Sequence, residues 1–349
     1  MVDAALPPQF GQYPAPRYVI AHLSDTHFLA DGPLYGTVDT DTGLAAALHR
    51  LEASGIHLDA FVFTGDITDR GEPDAYARVR AVVEPAAERI GAEVIWVMGN
   101  HDERMPFRRE LLGAGVVDGV AAAGTGTVAA DRAESADAGR AESADASRAD
   151  SADAENTVDS TAPVDTVTMV HGLRVIALDT SVPGYHHGAL DDAQLEWVAE
   201  VLSEPAEHGS LLALHHPPIP TPIGAMQILE LERQERLAAV IAGSDIRAIL
   251  GGHLHYASTS LFAGIPVSVA AATCYTMDLA APVDELIGSD AGQSLNLVHV
   301  YDDRVVHSVV PLTTARTVTR FGADFTARMR ELDAEGRRDA FSRQRPTDG

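Results

Sequence analysis

The sequence contains no lysine: its 25 cationic side chains are all arginine, set against 51 Asp and Glu, for a formal net charge of −26 with histidine neutral. That balance excludes unassisted binding to nucleic acid or to an anionic membrane face, because phosphates would be repelled. The missing lysine, beside abundant Ala, Arg and Asp, reads as compositional bias and not as function. There is one cysteine, Cys274. A single thiol excludes an internal disulfide framework and a multi-cysteine zinc site, and it fits a reducing compartment. No window approaches the roughly 18 uninterrupted apolar residues of a membrane helix. The stretch from Met1 to Arg17 is Pro-rich and has neither a basic start nor a long apolar run. A secretion signal is therefore not expected, and a cytoplasmic location is.

What is present is an apolar fraction of 46%, enough for an ample core, and 15 histidines. Length alone suggests about two domains. One segment stands apart from any domain. From Arg132 the chain reads RAESADAG, RAESADAS, RADSADAE, a period of eight opened by Arg132, Arg140 and Arg148, and the polar run continues to Asp165. No bulky apolar residue recurs in it, so nothing offsets the entropy of ordering it. A solvated helix is the rival, but an eight-residue period drifts round a helix and builds no apolar stripe. Residues 131–165 are thus expected to be a disordered low-complexity insertion.

The rest alternates apolar runs with helical patterns. Strands are expected at 18–23, 60–64, 93–98, 167–170, 174–178, 210–214, 246–250, 258–262, 267–271, 295–301 and 305–310. Helices are expected at 42–53, 73–90, 191–202 and 228–242. This is an α/β pattern, with sheets flanked by helices. After the body, residues 316–349 carry 8 Arg against 6 Asp and Glu. There Phe325, Met329 and Leu332 give the i, i+4, i+7 spacing of a short amphipathic helix, expected to dock on the body ahead of a frayed tail.

Five of the expected strands break into polar donors. YVIAHL leads to Asp25 and His27, AFVFT to Gly65-Asp66, and EVIWVM to Gly99-Asn100-His101-Asp102. LLAL leads to His215-His216, and IRAIL to Gly252-His253-Leu254-His255. Ligands of α/β sheets bind beyond the carboxyl ends of strands, so the five clusters can converge. The i, i+2 pairs Asp25/His27 and His253/His255 would each point one way if the chain were extended. Carboxylates mixed with imidazoles suit Mn, Fe, Co or Zn better than Mg or Ca. Asp25, His27, Asp66, Asn100, His215, His253 and His255 are too many donors for one four-coordinate ion. They suit a pair of ions sharing one Asp, the usual clamp for displacement at phosphorus. Any single cluster is explained as well by a local turn or cap; five in one structural position are not.

In this order, Asp25-x-His27, Gly65-Asp66, Gly99-Asn100-His101-Asp102, His215 and Gly252-His253-x-His255 resemble the calcineurin-like metallophosphoesterases. The wider stretches HLSDTHFLADGPLYG, VFTGDITDRGEPDAY, ALDTSVPGYHHG, LALHHPPIP and GIPVSVAAATCYT are similar to the class III cyclic-nucleotide phosphodiesterases. The resemblance spans about Pro16 to Leu312 and implies a four-layer αββα sandwich. It implies one domain over 17–315, between a tail at 1–16 and the C-terminal helix and tail, in place of two. It assigns Asp25, His27, Asp66 and His255 to one metal, and Asp66, Asn100, His215 and His253 to the other. Fe with Mn is the metal pair it suggests, with Co or Zn as substitutes, and a homodimer is the assembly.

The expected reaction is hydrolysis of 3′,5′-cyclic AMP to 5′-AMP by a metal-bridging hydroxide, a small cyclic nucleotide being the partner. His101 is expected to hydrogen-bond a phosphoryl oxygen or protonate the leaving oxygen, with Asp102 orienting it. His27, Asp66, Asn100, His101, His255 and His187 are the expected substrate contacts. His186 sits in the same Gly-flanked loop as His187. His216 reads as shaping its turn and His22 as a core residue; His171, His299 and His307 read as structural. Cys274 reads as a small apolar residue near the site. Tyr35 and Tyr256 are of a kind that stacks on bases, though ordinary packing explains them too. The same metal core would serve another ester, such as a 2′,3′-cyclic nucleotide, a nucleotide or a phosphoprotein. A non-catalytic scaffold of the fold would be expected to lose ligands, and none is missing.

Overall fold

The computed structural model describes residues 8–113, 161–313 and 316–344. The elements in chain order are β1 (Tyr18–Leu23), α1 (Thr40–Ser54), β2 (Ala60–Thr64), α2 (Pro73–Ile90), β3 (Glu93–Val97) and α3 (Arg104–Phe107). Then come β4 (Thr166–Val170), β5 (Leu173–Leu178), α4 (Asp192–Val201), β6 (Ser210–Leu214), α5 (Gln234–Ile241) and β7 (Ile246–Gly251). The chain continues with β8 (Ser258–Phe262), β9 (Ile265–Val269), β10 (Thr276–Met277), β11 (Gly288–Ser289), β12 (Ser294–Val300), β13 (Val305–Pro311) and α6 (Ala323–Glu331). Among the described residues no helix is long and apolar enough to cross a membrane.

Two large sheets form, in the orders β13-β12-β1-β2-β3 and β4-β5-β6-β7-β9-β8. Their inner strands read as continuous apolar runs because both faces are covered: all six residues of β1 are buried, whereas the edge strands β8 and β13 are largely exposed. Alternate residues divide the burial. Ile20, Val62 and Val97 of one sheet meet Val175, Ala213 and Leu250 of the other in the central layer. The outward set of the first sheet, Ala21, Leu23, Phe61 and Phe63, packs on Leu44, Leu48, Tyr76 and Val79 of α1 and α2. On the far side Ile176, Leu212 and Ile249 pack on Leu195, Val198, Leu237 and Ile241 of α4 and α5. The layers are therefore α, β, β, α, as the resemblance implied.

The helices begin and end where local chemistry dictates. Asp39 caps α1 by accepting from Thr42 N at 3.0 Å, so the helix starts at Thr40, two residues before its first expected residue. Pro73 opens α2, and Gly91 closes it in the left-handed conformation.

Two expectations need correction. The helix expected at 228–242 is a 3₁₀ turn over Gly224–Leu229, a break, and then α5. Between them the backbone is committed elsewhere: Gly188 N donates to Glu230 O at 3.2 Å and Glu232 N to Gly188 O at 2.8 Å. Arg233 is left-handed at φ 49°. This short bridge ties the 181–188 loop to the body, and a continuous helix would forfeit it. The second correction concerns the low-complexity segment. Its repeat lies outside the described residues, but its expected end at Asp165 is too late. Val164 is buried in the core, Asp179 N donates to Asp165 Oδ1 at 2.7 Å, and Val164 N donates to Asp179 Oδ2 at 3.0 Å. Gln194 Nε2 also reaches Asp165, at 3.0 Å.

In α6 Met329 is buried and Phe325 half-buried, with Phe325 against Phe321 and Phe341 at 5.1 and 5.2 Å. Arg337 lies 4.8 Å over the Phe10 ring, so the C-terminal segment packs partly on the N-terminal one.

Candidate metal centre

β1, β2 and β3 run parallel, as do β5, β6 and β7, so the carboxyl ends of β1, β2, β3, β6 and β7 open toward one crevice. The chain turns abruptly there. Asp25, His27, Asp66, His253 and His255 all have positive φ, between 45° and 69°. The two i, i+2 pairs are thus not extended, as the spacing suggested. Their side chains converge because left-handed residues fold each loop tightly. Such a conformation is costly for a non-glycine residue, and sites are where it accumulates. Glycine is needed beside these residues for a different reason. A Cβ on Gly99 would run into Asp66, and one on Gly252 into Ser24 Oγ and, at 2.7 Å, Thr64 O. We expect Gly99→Ala to displace Asp66 and weaken metal binding by at least ten-fold, measured by metal titration of the chelated protein.

The seven expected donors come together. His255 Nε2 lies 3.3 Å from Asp25 Oδ1. Asp66 Oδ2 lies 3.5 Å from His27 Nε2 and 3.2 Å from His215 Nε2. His215 Nε2 lies 3.1 Å from Asn100 Oδ1. His253 N donates to Asp25 Oδ2 at 3.1 Å, and the His253 ring stands 5.0 Å from that of His215. Asp25, His27, Asp66 and His255 offer ligand atoms within 4.8 Å of one another, and so do His215, His216 and His253.

Two features favour a cation here. The outer ring nitrogens are engaged: His27 Nδ1 by Asp69 at 3.0 Å, His215 Nδ1 by Thr64 O at 2.8 Å, and His255 Nδ1 by Tyr275 O at 3.0 Å. That leaves each Nε2 aimed inward, as in metal-binding histidines. And His27 Nε2 and His253 Nε2 are buried with no hydrogen-bond partner, a costly state that a ligated cation relieves.

Electrostatics agree. Burial alone would raise the Asp66 carboxyl, but His215, His101 and His27 hold it well below its usual range. Burial likewise opposes ionisation of Asp25, yet His255 and His215 bring it down to about 2. Burial disfavours a charged His215, yet Asp66 pushes it up to about 9. Burial, with His215 nearby, takes His253 down to about 3. In the metal-free chain the carboxylates hold a proton on His215 that a metal would have to expel, so metal and proton compete for this nitrogen.

Two residues sit differently from expectation, Asp102 and His187. Asp102 does not orient His101. Its carboxylate accepts from Ile67 N at 3.1 Å, Thr68 N at 3.0 Å, Gly99 N at 3.0 Å and Tyr76 Oη at 2.9 Å, pinning the two loops that carry Asp66 and Asn100. The residue against His101 is Asp69: its carbonyl oxygen is 2.9 Å from His101 Nδ1 and its carboxylate 3.7 Å. Nothing in the sequence marked Asp69 beyond an acid three residues after Asp66. His187 turns away, 5.2 Å from Tyr185 and 3.9 Å from Glu232. His186 takes the inward place, its Nδ1 2.9 Å from Asn100 Nδ2 and its ring 4.9 Å from His101. His216 holds that loop, with Nδ1 2.8 Å from Thr180 Oγ1 and Nε2 3.2 Å from His186 O. Asp102→Ala would strand several buried donors, each worth roughly 1–3 kcal/mol. A loss of about 3 kcal/mol or more in urea unfolding is expected.

His22 is a core residue, with Nε2 3.0 Å from Thr64 Oγ1. Cys274 is buried, its Sγ 3.9 Å from His255 Nδ1. Tyr256 is buried and hydrogen-bonded to Thr221 at 2.8 Å, so it is packing and not a base platform.

Converging strand ends, two buried carboxylates and inward imidazoles are the arrangement of a binuclear phosphoesterase site. Residues 18–257 match the calcineurin-like phosphoesterase family, and the chain belongs to that family. It is 47% identical over 307 residues to the "Probable cyclic nucleotide phosphodiesterase" of Rhodococcus erythropolis, covering 88% of each chain. It is 43% identical over 341 residues to the cAMP/cGMP dual specificity phosphodiesterase of Mycobacterium tuberculosis, covering 96% of this chain and 94% of that one. A solved dimetal phosphatase from Danio rerio superposes with a TM-score of 0.52 at 15% identity, over 85% of this chain and 97% of that one. At that identity the likeness concerns the fold. A fold of this family implies a dinuclear metal centre.

Proposed function

We propose that this chain hydrolyses 3′,5′-cyclic AMP to 5′-AMP. The observation that carries the reading is Asp66, a buried carboxylate lying between two groups of inward imidazoles. The substrate class is supported by the names of the two relatives above, one of which has dual specificity for cAMP and cGMP. One ion would be held by Asp25, His27, Asp66 and His255, the other by Asp66, Asn100, His215 and His253. The mixed donor set suits Fe and Mn, with Co or Zn as substitutes. Bound there, the ions supply Lewis-acid activation of water and neutralise phosphoryl charge.

The chain's own residues do the rest. A water oxygen bonds to phosphorus and releases a proton to solvent, the bond from phosphorus to O3′ breaks, and O3′ takes up a proton from a donor that solvent then reprotonates. His101 is placed to deliver it. Its Nδ1 faces the Asp69 carbonyl, an acceptor only, so Nδ1 carries a hydrogen and Nε2 is the working atom. The Asp69 carboxylate lies 3.7 Å from the same Nδ1, and a protonated ring would donate its Nε2–H to a phosphoryl oxygen or to O3′. Asn100 and His186 line the same crevice, and His186 replaces His187 as the expected substrate contact.

Residues 17–315 are read as one domain because Leu295 and Leu297 share a core with Leu23 and Phe61. A cytoplasmic homodimer belongs to the same reading and is checked by solution scattering and fractionation.

The test is a metal-reconstituted assay with Fe, Mn, Co or Zn. It compares 3′,5′-cyclic AMP and GMP with 2′,3′-cyclic nucleotides and nucleoside monophosphates. We expect 5′-AMP from cyclic AMP, and chelation to remove both activity and substrate binding. No 5′-AMP under any metal would overturn the reading.

A further inference from the structure

Beside the metal centre stands an aromatic side chain in a conformation that local chemistry disfavours. Leu34 and Val38 exchange two backbone hydrogen bonds of 2.9 Å, and Thr37 N donates to Leu34 O at 3.1 Å. The two central residues of this tight turn, Tyr35 and Gly36, have φ of 51° and 73°. That sign pattern belongs to a type I′ turn, whose first central position favours Asn, Asp or Gly. A bulky tyrosine there is an outlier. It is not part of the core, since Tyr35 is 68% exposed while its neighbours Leu34 and Val38 are buried in a small cluster with Cys274.

The ring has a definite place. Tyr35 sits edge-on to Tyr275, centroids 5.6 Å apart. Tyr275 in turn lies 4.4 Å from the His255 ring and 6.3 Å from that of His27. A line of rings thus leads from the candidate metal ligands out to the exposed face of Tyr35. A cyclic nucleotide whose phosphate lies over the metal centre has a flat heterocycle to place outside that polar crevice.

We propose that Tyr35, backed by Tyr275, is the surface on which the purine of the substrate stacks. The proposal rests on the reading of the chain as a cyclic-nucleotide phosphodiesterase. Stacking reads the π-face and not the hydrogen-bonding edge, so adenine and guanine are served alike. A cavity of about 290 Å³ on the Asn100 flank is walled by Met98, Met105, Val182 and Pro183 with polar residues such as Asn100 and Ser181. None of its lining residues carries an aromatic ring, and Arg104 there is already bound to Asp179 at 2.9 Å.

The experiment compares cyclic AMP with its abasic counterpart, 1-deoxyribose 3′,5′-cyclic phosphate, and reads the KM of the abasic compound divided by that of cyclic AMP, together with Tm. Tyr35→Gly should raise KM for cyclic AMP on the order of ten-fold, as expected for loss of one stacked base, and shrink the ratio correspondingly. Its Tm should hold or rise, because glycine suits the left-handed position. Tyr35→Phe keeps the ring and should keep the ratio. A fall in Tm with an unchanged ratio in Tyr35→Gly would show a packing residue and overturn the proposal. So would a ratio that shrinks in Met105→Ala and not in Tyr35→Gly. If the wild-type protein makes no 5′-AMP from either substrate, the functional reading itself has failed, a result separate from these.

Discussion

Asp66→Ala should abolish phosphodiester hydrolysis, lowering kcat on the order of 10³-fold or more, because a two-ion site contributes several kcal/mol to the transition state. Asp66 Oδ2 faces both His27 and His215, while Oδ1 accepts from His101 N at 2.8 Å. The residue therefore joins the two groups of donors and also fixes the backbone of the proposed acid. Elemental analysis of the reconstituted protein should show at least one metal lost. Asp66→Asn keeps the shape and removes the charge, so it separates loss of ligation from collapse of the loop. An Asp66→Ala protein with both metals and wild-type turnover would refute the shared-ligand assignment.

His101→Ala should behave differently. Turnover should fall roughly 10²- to 10³-fold, within the usual range for a general acid or base, while both metals stay bound. His101 contacts the cluster by its ring edge, 4.8 Å from the His27 ring, and its Nδ1 is held by the Asp69 carbonyl. Neither contact is ligation. Metal analysis and kcat measured on the same preparation check the point. Loss of metal on this change would sink the assignment, because His101 would then be a ligand or its structural support. The effect should be larger for substrates with a poor leaving group, since an aryl ester needs less protonation.

The donor set was legible in the sequence because each cluster is a local event. An apolar strand ends, a glycine permits a turn, and a polar side chain is delivered at the mouth. Asp25, His27, Asp66, Asn100, His215, His253 and His255 all follow an apolar strand, with a glycine beside Asp66, Asn100 and His253, and the structure brings all seven to one crevice. Most strand positions were legible for the same reason, since strands buried on both faces announce themselves as unbroken apolar runs. The helix at 228–242 misled because its composition suits a helix, whereas Glu230 and Glu232 spend their backbone bonds on Gly188. Propensity is local and yields to such a tertiary claim.

The supporting residues were not legible. Asp102 is the acid nearest His101 in sequence, yet its carboxylate faces the amides of the 67–68 loop, and Asp69 takes the expected place. His186 and His187 are adjacent and identical in type, and the contacts that hold their loop, from His216 to the His186 carbonyl and from Gly188 to Glu230 and Glu232, are made by distant residues. The identity of the donors and the order of the strands that deliver them were written in the sequence. Which neighbour holds each donor, and the left-handed turns that aim five of them, were decided by the tertiary structure. The physical reason is that strand-then-turn patterns depend on residues a few positions apart. The partner of a buried nitrogen is whichever loop the packed sheets bring against it, from tens of residues away.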